Sequence, residues 1–299
     1  MAASSVPQAY APMIANLEVL RDTFKVLGAK RFASDLGTVI NALQGAESLP
    51  PPDQEAWKNL FAALQQEEKL LEILVQEMKR IATFELSKKQ QAFAHLLVPL
   101  SAAYNKNLDL AAEGKKLKEL CTKMIMPFLR DLISVLQPYP DMDKPRNDLA
   151  QLHQATMEAL AMVMDDMNGI LGKDHMQSLA AVFRHLQAQQ KGIDHLTQSG
   201  SLIAQAIQQD FIPTFAKAAE AVQEIHESIE RNDRASFGKA LAKAGSTTQP
   251  AIVDGLHQVE LAVQQEYQDL ESYHDQLEKD HDVVEKINKA WASIQKTRG

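Results

Sequence analysis

The chain has 299 residues and a net charge of −8, with only 12 glycines, 12 prolines and 6% aromatic residues. So few helix breakers among abundant Ala, Leu, Gln, Glu and Lys predict an all-α protein. The negative charge argues against nucleic-acid binding by bulk electrostatics. The single cysteine, Cys121, excludes an internal disulfide and a zinc site of paired cysteines. No signal peptide and no apolar run long enough to cross a membrane is recognised, so we expect a cytoplasmic or peripheral membrane protein.

The N-terminal part, residues 1–49, is predicted to be a separate helical segment. Apolar residues at helical spacing predict two amphipathic helices there, over residues 12–28 and 32–43. Residues 45–52 end in three consecutive prolines, which forbid helix and predict a linker. Residues 50–299 are expected to form one elongated helical bundle on which the N-terminal helices pack.

Long helices interrupted by prolines are predicted for the first half of this bundle. Asp53 is a candidate N-cap for a helix in which Trp57, Leu64, Leu71 and Met78 recur every seven residues. A second line of apolar residues in this helix is broken by Glu67. A further helix is predicted to start near Ser87 and run to Leu136, with kinks at Pro99 and Pro127, which cannot donate in the helical ladder. Residues 137–147 contain three prolines and are predicted to be a second linker.

The second half of the bundle is predicted to hold three more helical segments before the last helix. These cover residues 148–171, 174–230 and about 234–244, with weak points at Gly192 and residues 199–201 and a third kink at Pro213. Residues 245–250 form the final predicted linker. Eight of the 11 methionines fall between Met124 and Met176, which suits either an adaptable binding surface or a core that needs gap filling.

The last helix, predicted over Pro250–Arg298, carries the clearest pattern in the chain. One line of this helix is apolar at every seventh residue and predicts an oligomer seam, made of Leu256, Val263, Leu270, Leu277, Val284 and Trp291. A companion line is interrupted by Glu266 and Asp280, and such breaks can set the register between helices. The helix that covers the seam belongs either to the same chain or to a second copy.

Charge is unevenly distributed along the chain. Residues 79–130 hold ten basic and four acidic residues, a net charge of +6, whereas residues 254–285 hold ten acidic residues and one lysine, a net charge of −9. Two oppositely charged helices could lie side by side and form exposed ion pairs of small value. Alternatively, the basic segment faces an anionic membrane or an acidic partner. For that interpretation the candidate binding residues are Lys106, Lys115, Lys116, Lys118, Lys123 and Arg130.

No residue pattern points to catalysis. Glu271 and His274, like Glu278 and His281, have the spacing used in di-metal sites of helical bundles, but both pairs lie on one helix and are better explained as solvated surface. No glycine-rich phosphate loop or nucleophile elbow is present. We therefore predict a non-enzymatic protein with no metal, cofactor or small-molecule substrate.

The segment Leu117-x-x-Leu120-x-x-x-Met124-Ile-Met-Pro127-Phe-Leu-x-Asp131-Leu-Ile resembles part of a BAR domain. The likeness covers about residues 53–137 and includes the helical period upstream of the proline. It implies an antiparallel dimer of kinked helices that binds curved anionic membranes, with Lys115, Lys116, Lys118, Lys123 and Arg130 on the lipid. The overall acidity and the proline-rich residues 137–147 depart from that family.

The function that we predict is a helical scaffold that oligomerises, or binds a helical protein, and contacts a membrane surface or partner through the basic kinked helix. One alternative is a soluble subunit of an α-helical pore-forming toxin, with residues 92–104 or 155–167 as the inserting segment. The other is a coiled-coil adaptor that never touches lipid. No nucleic-acid partner is expected.

Overall fold

The computed structural model describes residues 11–26, 36, 54–107 and 109–298, and all regular elements among them are helical. The all-α class and the long amphipathic helices predicted from sequence are therefore confirmed. Within the described ranges, ten α-helices are interrupted or joined by two π-turns and two 3₁₀ turns. In chain order they are α1 Ala11–Val26, α2 Gln54–Ala82, α3 Leu86–Asn105, α4 Leu110–Leu120, the first π-turn Cys121–Ile125, α5 Met126–Leu136, a 3₁₀ turn Pro140–Met142, α6 Asp143–Met167, α7 Lys173–Ala206, the second π-turn Ile207–Phe211, α8 Ile212–Glu230, α9 Arg234–Gly245, a 3₁₀ turn Ser246–Thr248 and α10 Pro250–Arg298.

The chain divides into two compact units. Unit 1 holds Met1–Leu64, Thr156–His185 and Lys279–Gly299, and unit 2 holds Gln65–Ala155 and Leu186–Glu278. In unit 1, Trp57 and Leu60 of α2, Leu160 of α6 and Trp291 of α10 are among the buried apolar residues. In unit 2, α4 and α5 pack on α8, and α9 packs on both α8 and α3. The predicted N-terminal segment and the linker at residues 45–52 lie mostly outside the described residues.

The prolines after the two π-turns show how this chain accommodates a missing backbone donor. Pro127 and Pro213 each lie at the start of the α-helix that follows a π-turn. At each turn one hydrogen bond skips an extra residue, from the Met126 amide to the Cys121 carbonyl and from the Ile212 amide to the Ile207 carbonyl. The wider turn precedes a residue that has no N–H to donate, so the helix continues past the proline. Pro99, by contrast, lies inside α3.

The predicted linker over residues 137–147 is wrong. Only residues 137–139 form a turn there, after which a 3₁₀ turn leads into α6 at Asp143. Pro145 is the third residue of α6, where the backbone N–H has no partner inside the helix, so the ring costs no hydrogen bond. A break that the sequence reading missed lies between α3 and α4, where Asn107 has a positive φ of 54°.

The predicted weak points at Gly192 and Gly200 are also wrong, because α7 runs through both. These glycines make room for side chains from other helices. A Cβ atom on Gly192 would collide with the hydroxyl of Tyr273, and one on Gly200 would lie 2.5 Å from Nε of Arg146. Helix α6 ends at Met167, four residues before the predicted end at residue 171, and Gly169 follows it with a φ of 80°. The predicted start of α9 near residue 234 is confirmed, and the side chain of Asp233 accepts a hydrogen bond from the Ser236 amide there.

The 49-residue helix α10 has the bounds predicted from sequence. All six residues of the predicted oligomer seam are buried within the single chain, from Leu256 at 0% exposure to Trp291 at 4%. The helices that cover the seam therefore belong to the same chain. An oligomer seam made of these six residues would require two chains to exchange helices, and its oligomeric role stays a prediction.

Candidate binding surface

The predicted basic surface lies on α4, the first π-turn and α5, all within unit 2. The α4 sequence buries Leu110 and Leu117, and Gly114 allows a close approach to α8, since a Cβ there would lie 3.0 Å from a methyl group of Ile229. With the apolar face packed in this way, Lys115 and Lys116 are exposed to solvent.

Three of the six candidate binding residues have acidic neighbours. Lys116 lies 3.7 Å from Glu113 and Lys123 lies 3.6 Å from Glu119, both along the same helical stretch. Lys118 reaches Glu230 of α8 at 3.3 Å. These pairs are exposed, so each contributes little to stability, but each also lowers the positive charge that the surface offers to a partner.

The other three candidates, Lys106, Lys115 and Arg130, are exposed and form no ion pair with any described residue. Lys106 follows the end of α3, Lys115 lies in the middle of α4, and Arg130 lies on α5. Fifteen residues separate Lys115 from Arg130, about 22 Å along a helix axis. The uncompensated positive charge is thus spread along the kinked segment rather than gathered at one point.

An exposed apolar side chain accompanies these cations. Met124, in the first π-turn, is 53% exposed, whereas Ile125 next to it is fully buried. Of the methionine-rich region only Met162 is comparably exposed, at 56%, and Met167 is in the core. The region therefore supplies both core residues and isolated surface residues, and Met124 is the exposed one that belongs to the basic segment, directly after Lys123 in the chain.

The acidic residues of α10 divide into an exposed set and a buried set. Asp254, Glu271, Asp275, Glu278, Asp282 and Glu285 are exposed. Glu260, Glu266 and Asp280 are buried and have partners on other helices. The ion pair that joins the basic segment to another helix is the one between Lys118 and α8, so the acidic helix α10 does not neutralise the basic one by the ion pairs seen among the described residues.

The two residues that interrupt the companion line of α10 occupy core positions and are paired there. In unit 2, Glu266 is 4% exposed and accepts hydrogen bonds from Nε of Arg146 at 2.6 Å and from the hydroxyl of Tyr139 at 2.5 Å. The Arg146 guanidinium also contacts Asp143 at 3.1 Å and lies over the Tyr139 ring, 4.3 Å from its centre. Burial, followed by the charge of Glu266, raises the pKa of Tyr139 far above its usual value, so this hydroxyl remains a donor.

Glu67, which interrupts the companion line of α2, is also paired inside unit 2. Its carboxylate lies 2.6 Å from Nδ1 of His153, and Nε2 of the same ring lies 2.8 Å from the Leu186 carbonyl. Because a carboxylate and a carbonyl only accept hydrogen bonds, the imidazolium form of His153, in which both ring nitrogens donate, satisfies both contacts. Burial lowers the pKa of His153, but the bond to Glu67 and its charge, the Leu186 carbonyl and the charge of Asp194 outweigh burial and raise it above 6.5.

Asp280, the second residue that interrupts the companion line of α10, is paired in unit 1, where its Oδ1 lies 3.0 Å from Nδ1 of His185. Asp280 is buried and the His185 side chain is half exposed. The sequence identifies Glu67, Glu266 and Asp280 as unusual, because each interrupts a line of apolar residues. It does not mark Arg146 or His153 as their partners, because these lie 120 and 86 residues away along the chain.

The side chains considered for chemistry are placed as follows. Among the described residues no group of three or more His, Cys, Asp or Glu side chains is arranged to hold a metal ion. The His281 ring packs on Phe61. Cys121 is fully buried, and burial raises the pKa of its thiol to about 12, so it is a poor nucleophile in the folded state.

Two further findings bear on the class of protein. Within the described ranges, no helix has the length together with the apolarity needed to cross a membrane. No family model, no curated protein and no solved structure matches the chain.

Proposed function

We propose that this protein is a non-enzymatic helical scaffold that binds an anionic membrane surface through the basic face of α4, the first π-turn and α5. The observation that carries the proposal is a set of exposed cations that form no ion pair with any described residue, Lys115 and Arg130 on this segment and Lys106 just before it, together with the exposed side chain of Met124 in the π-turn. The resemblance of residues 53–137 to a BAR domain supports the same role.

The expected binding free energy favours reversible binding. A basic residue close to an anionic leaflet contributes about 1 kcal/mol, so three uncompensated cations supply about 3 kcal/mol. Insertion of Met124 would add at most about 2 kcal/mol from burial of its apolar surface. The sum is a weak affinity that screening by salt would reduce further, because the Debye length is about 8 Å at physiological ionic strength.

Charge reversal tests this proposal. The triple variant Lys106→Glu, Lys115→Glu and Arg130→Glu is compared with wild type for co-flotation with vesicles that contain anionic lipid and with neutral vesicles. We expect the variant to lose flotation with the anionic vesicles while its helical circular dichroism stays unchanged, since all three side chains are exposed.

The matched control reverses three exposed lysines elsewhere in unit 2, Lys69, Lys191 and Lys239, and so makes the same change in net charge. If the control loses flotation as fully as the test variant, binding follows net charge and the proposed face is not the site. If wild-type protein floats with neither kind of vesicle, lipid binding is excluded and a coiled-coil adaptor becomes the better account. Release of a trapped dye from the vesicles would instead favour the toxin-like alternative.

A further inference from the structure

A groove on unit 2 lies where α7, the second π-turn and the start of α8 pass the first turns of α10. Its volume is about 760 Å³. Aliphatic side chains from α7 and α10 form much of its lining, namely Leu202, Ile203, Ala206, Ile252, Val259 and Ala262. We call it the α7–α10 groove. It lies apart from the basic face, and the proposal made for that face does not use it.

The groove combines a protruding apolar side chain with a recess. Leu202 is 69% exposed at its edge, the largest exposed fraction among the large apolar residues described in unit 2. The recess exists because Ala206, Ala251 and Gly255 have little or no side chain. Gly255 is required there, since a Cβ would lie 3.1 Å from the ring of Phe211.

The edge of the groove also carries one charge of each sign. Asp210 and Lys217 both line it, both are exposed, and neither forms an ion pair or a hydrogen bond with any described residue. They are seven residues apart, which places them on one side of the helical stretch and about 10 Å apart along its axis. Among the described residues these two charges therefore have no partner.

We infer that the α7–α10 groove is a contact between two copies of this chain related by a two-fold axis. In an isologous contact, residue i meets residue j of the other copy and j meets i. With the stretches over residues 210–217 of the two copies antiparallel, Asp210 pairs with the partner's Lys217 and Lys217 pairs with the partner's Asp210. A second copy therefore supplies both signs of charge at once, whereas a partner of uniform charge would repel one of the two residues.

The buried seam of α10 strengthens this choice of surface. Leu256 and Leu270 are covered inside the chain, so the strongest coiled-coil pattern is not available for association without helix exchange. The α7–α10 groove needs no rearrangement, and its apolar lining would lose contact with water on association.

The test is sedimentation velocity of the full chain across a range of concentrations. We expect wild type to dimerise, and Asp210→Lys and Lys217→Asp each to sediment as monomers because every reciprocal pair becomes a repulsion. When the two variants are mixed, both pairs are attractive again, so we expect a heterodimer. Unchanged thermal melting would show that these exposed substitutions leave the fold intact.

The controls make the same charge changes away from the groove, with Asp131→Lys and Lys191→Asp, both at exposed positions. They should dimerise like wild type. A wild-type monomer at every concentration overturns the inference. So does a wild-type dimer that survives the single variants, or a mixture of the two variants that stays monomeric. Vesicle binding by a monomeric protein would leave the proposed function standing while this inference fails.

Discussion

The substitution Glu266→Leu tests whether the buried carboxylate of Glu266 stabilises the fold through its pairing with Arg146 and Tyr139. Leucine suits the position by pattern, since the companion line of α10 contains Val259 and Ile287. In the structure, however, Arg146 is only 2% exposed and would keep Asp143 as its sole acidic contact, while the Tyr139 hydroxyl would lose its acceptor. Removal of one member of a buried ion pair costs about 3–5 kcal/mol, a large share of the total stability of about 5–15 kcal/mol for a folded domain.

The double variant Arg146→Met with Glu266→Leu separates pairing from packing. It removes both charges and keeps apolar volume in the space beside Gly200, so we expect its stability to return close to that of wild type or above it. Urea denaturation followed by circular dichroism, with the slopes compared between variants, gives the free energies of unfolding. The reasoning is refuted if Glu266→Leu costs less than about 1 kcal/mol, or if the double variant is as unstable as the single one.

Three other predictions follow from the buried groups. Because the pKa of His153 is raised above 6.5, its pair with Glu67 stabilises the fold fully below that pH and less as pH rises through the raised pKa; His153→Gln should remove this part of the pH dependence in urea melts. Gly200→Ala should cost about 1–3 kcal/mol by displacing Arg146, while Gly245→Ala, with no atom within 4 Å of the added Cβ, should cost nothing in thermal melts. Cys121, whose thiol pKa is about 12, should react with a thiol reagent only after unfolding; rapid labelling of the native protein would contradict its burial.

The sequence predicts the regular parts of this fold well because they follow from local periodicity. The bounds of α10 accompany a seven-residue repeat, which is visible in a short window of the sequence. The linker predicted over residues 137–147 is too long, because that prediction treats every proline as a helix breaker wherever in a helix it lies. A proline in the first turn of a helix leaves the helical hydrogen bonds intact, as Pro145 does.

The buried pairs show the limit of reading the candidate site from sequence. Glu67, Glu266 and Asp280 are visible as polar residues in apolar lines, and the prediction that such breaks set register is consistent with their burial. Their partners are not visible, because Arg146 and His153 lie in helices with no local mark of the contact. The sequence predicts the basic residues as a group, but only the structure separates Lys115, which forms no ion pair among the described residues, from Lys118, which is paired with Glu230.

The central claim is that an exposed basic face gives this scaffold a weak and salt-sensitive affinity for anionic lipid. The most direct measurement is co-sedimentation of the wild-type chain with anionic vesicles at low and at physiological salt, beside neutral vesicles at both. The account predicts binding to anionic vesicles at low salt, a marked loss at physiological salt, and none to neutral vesicles. Equal binding to both vesicle types, or no binding to anionic vesicles at low salt, would contradict it.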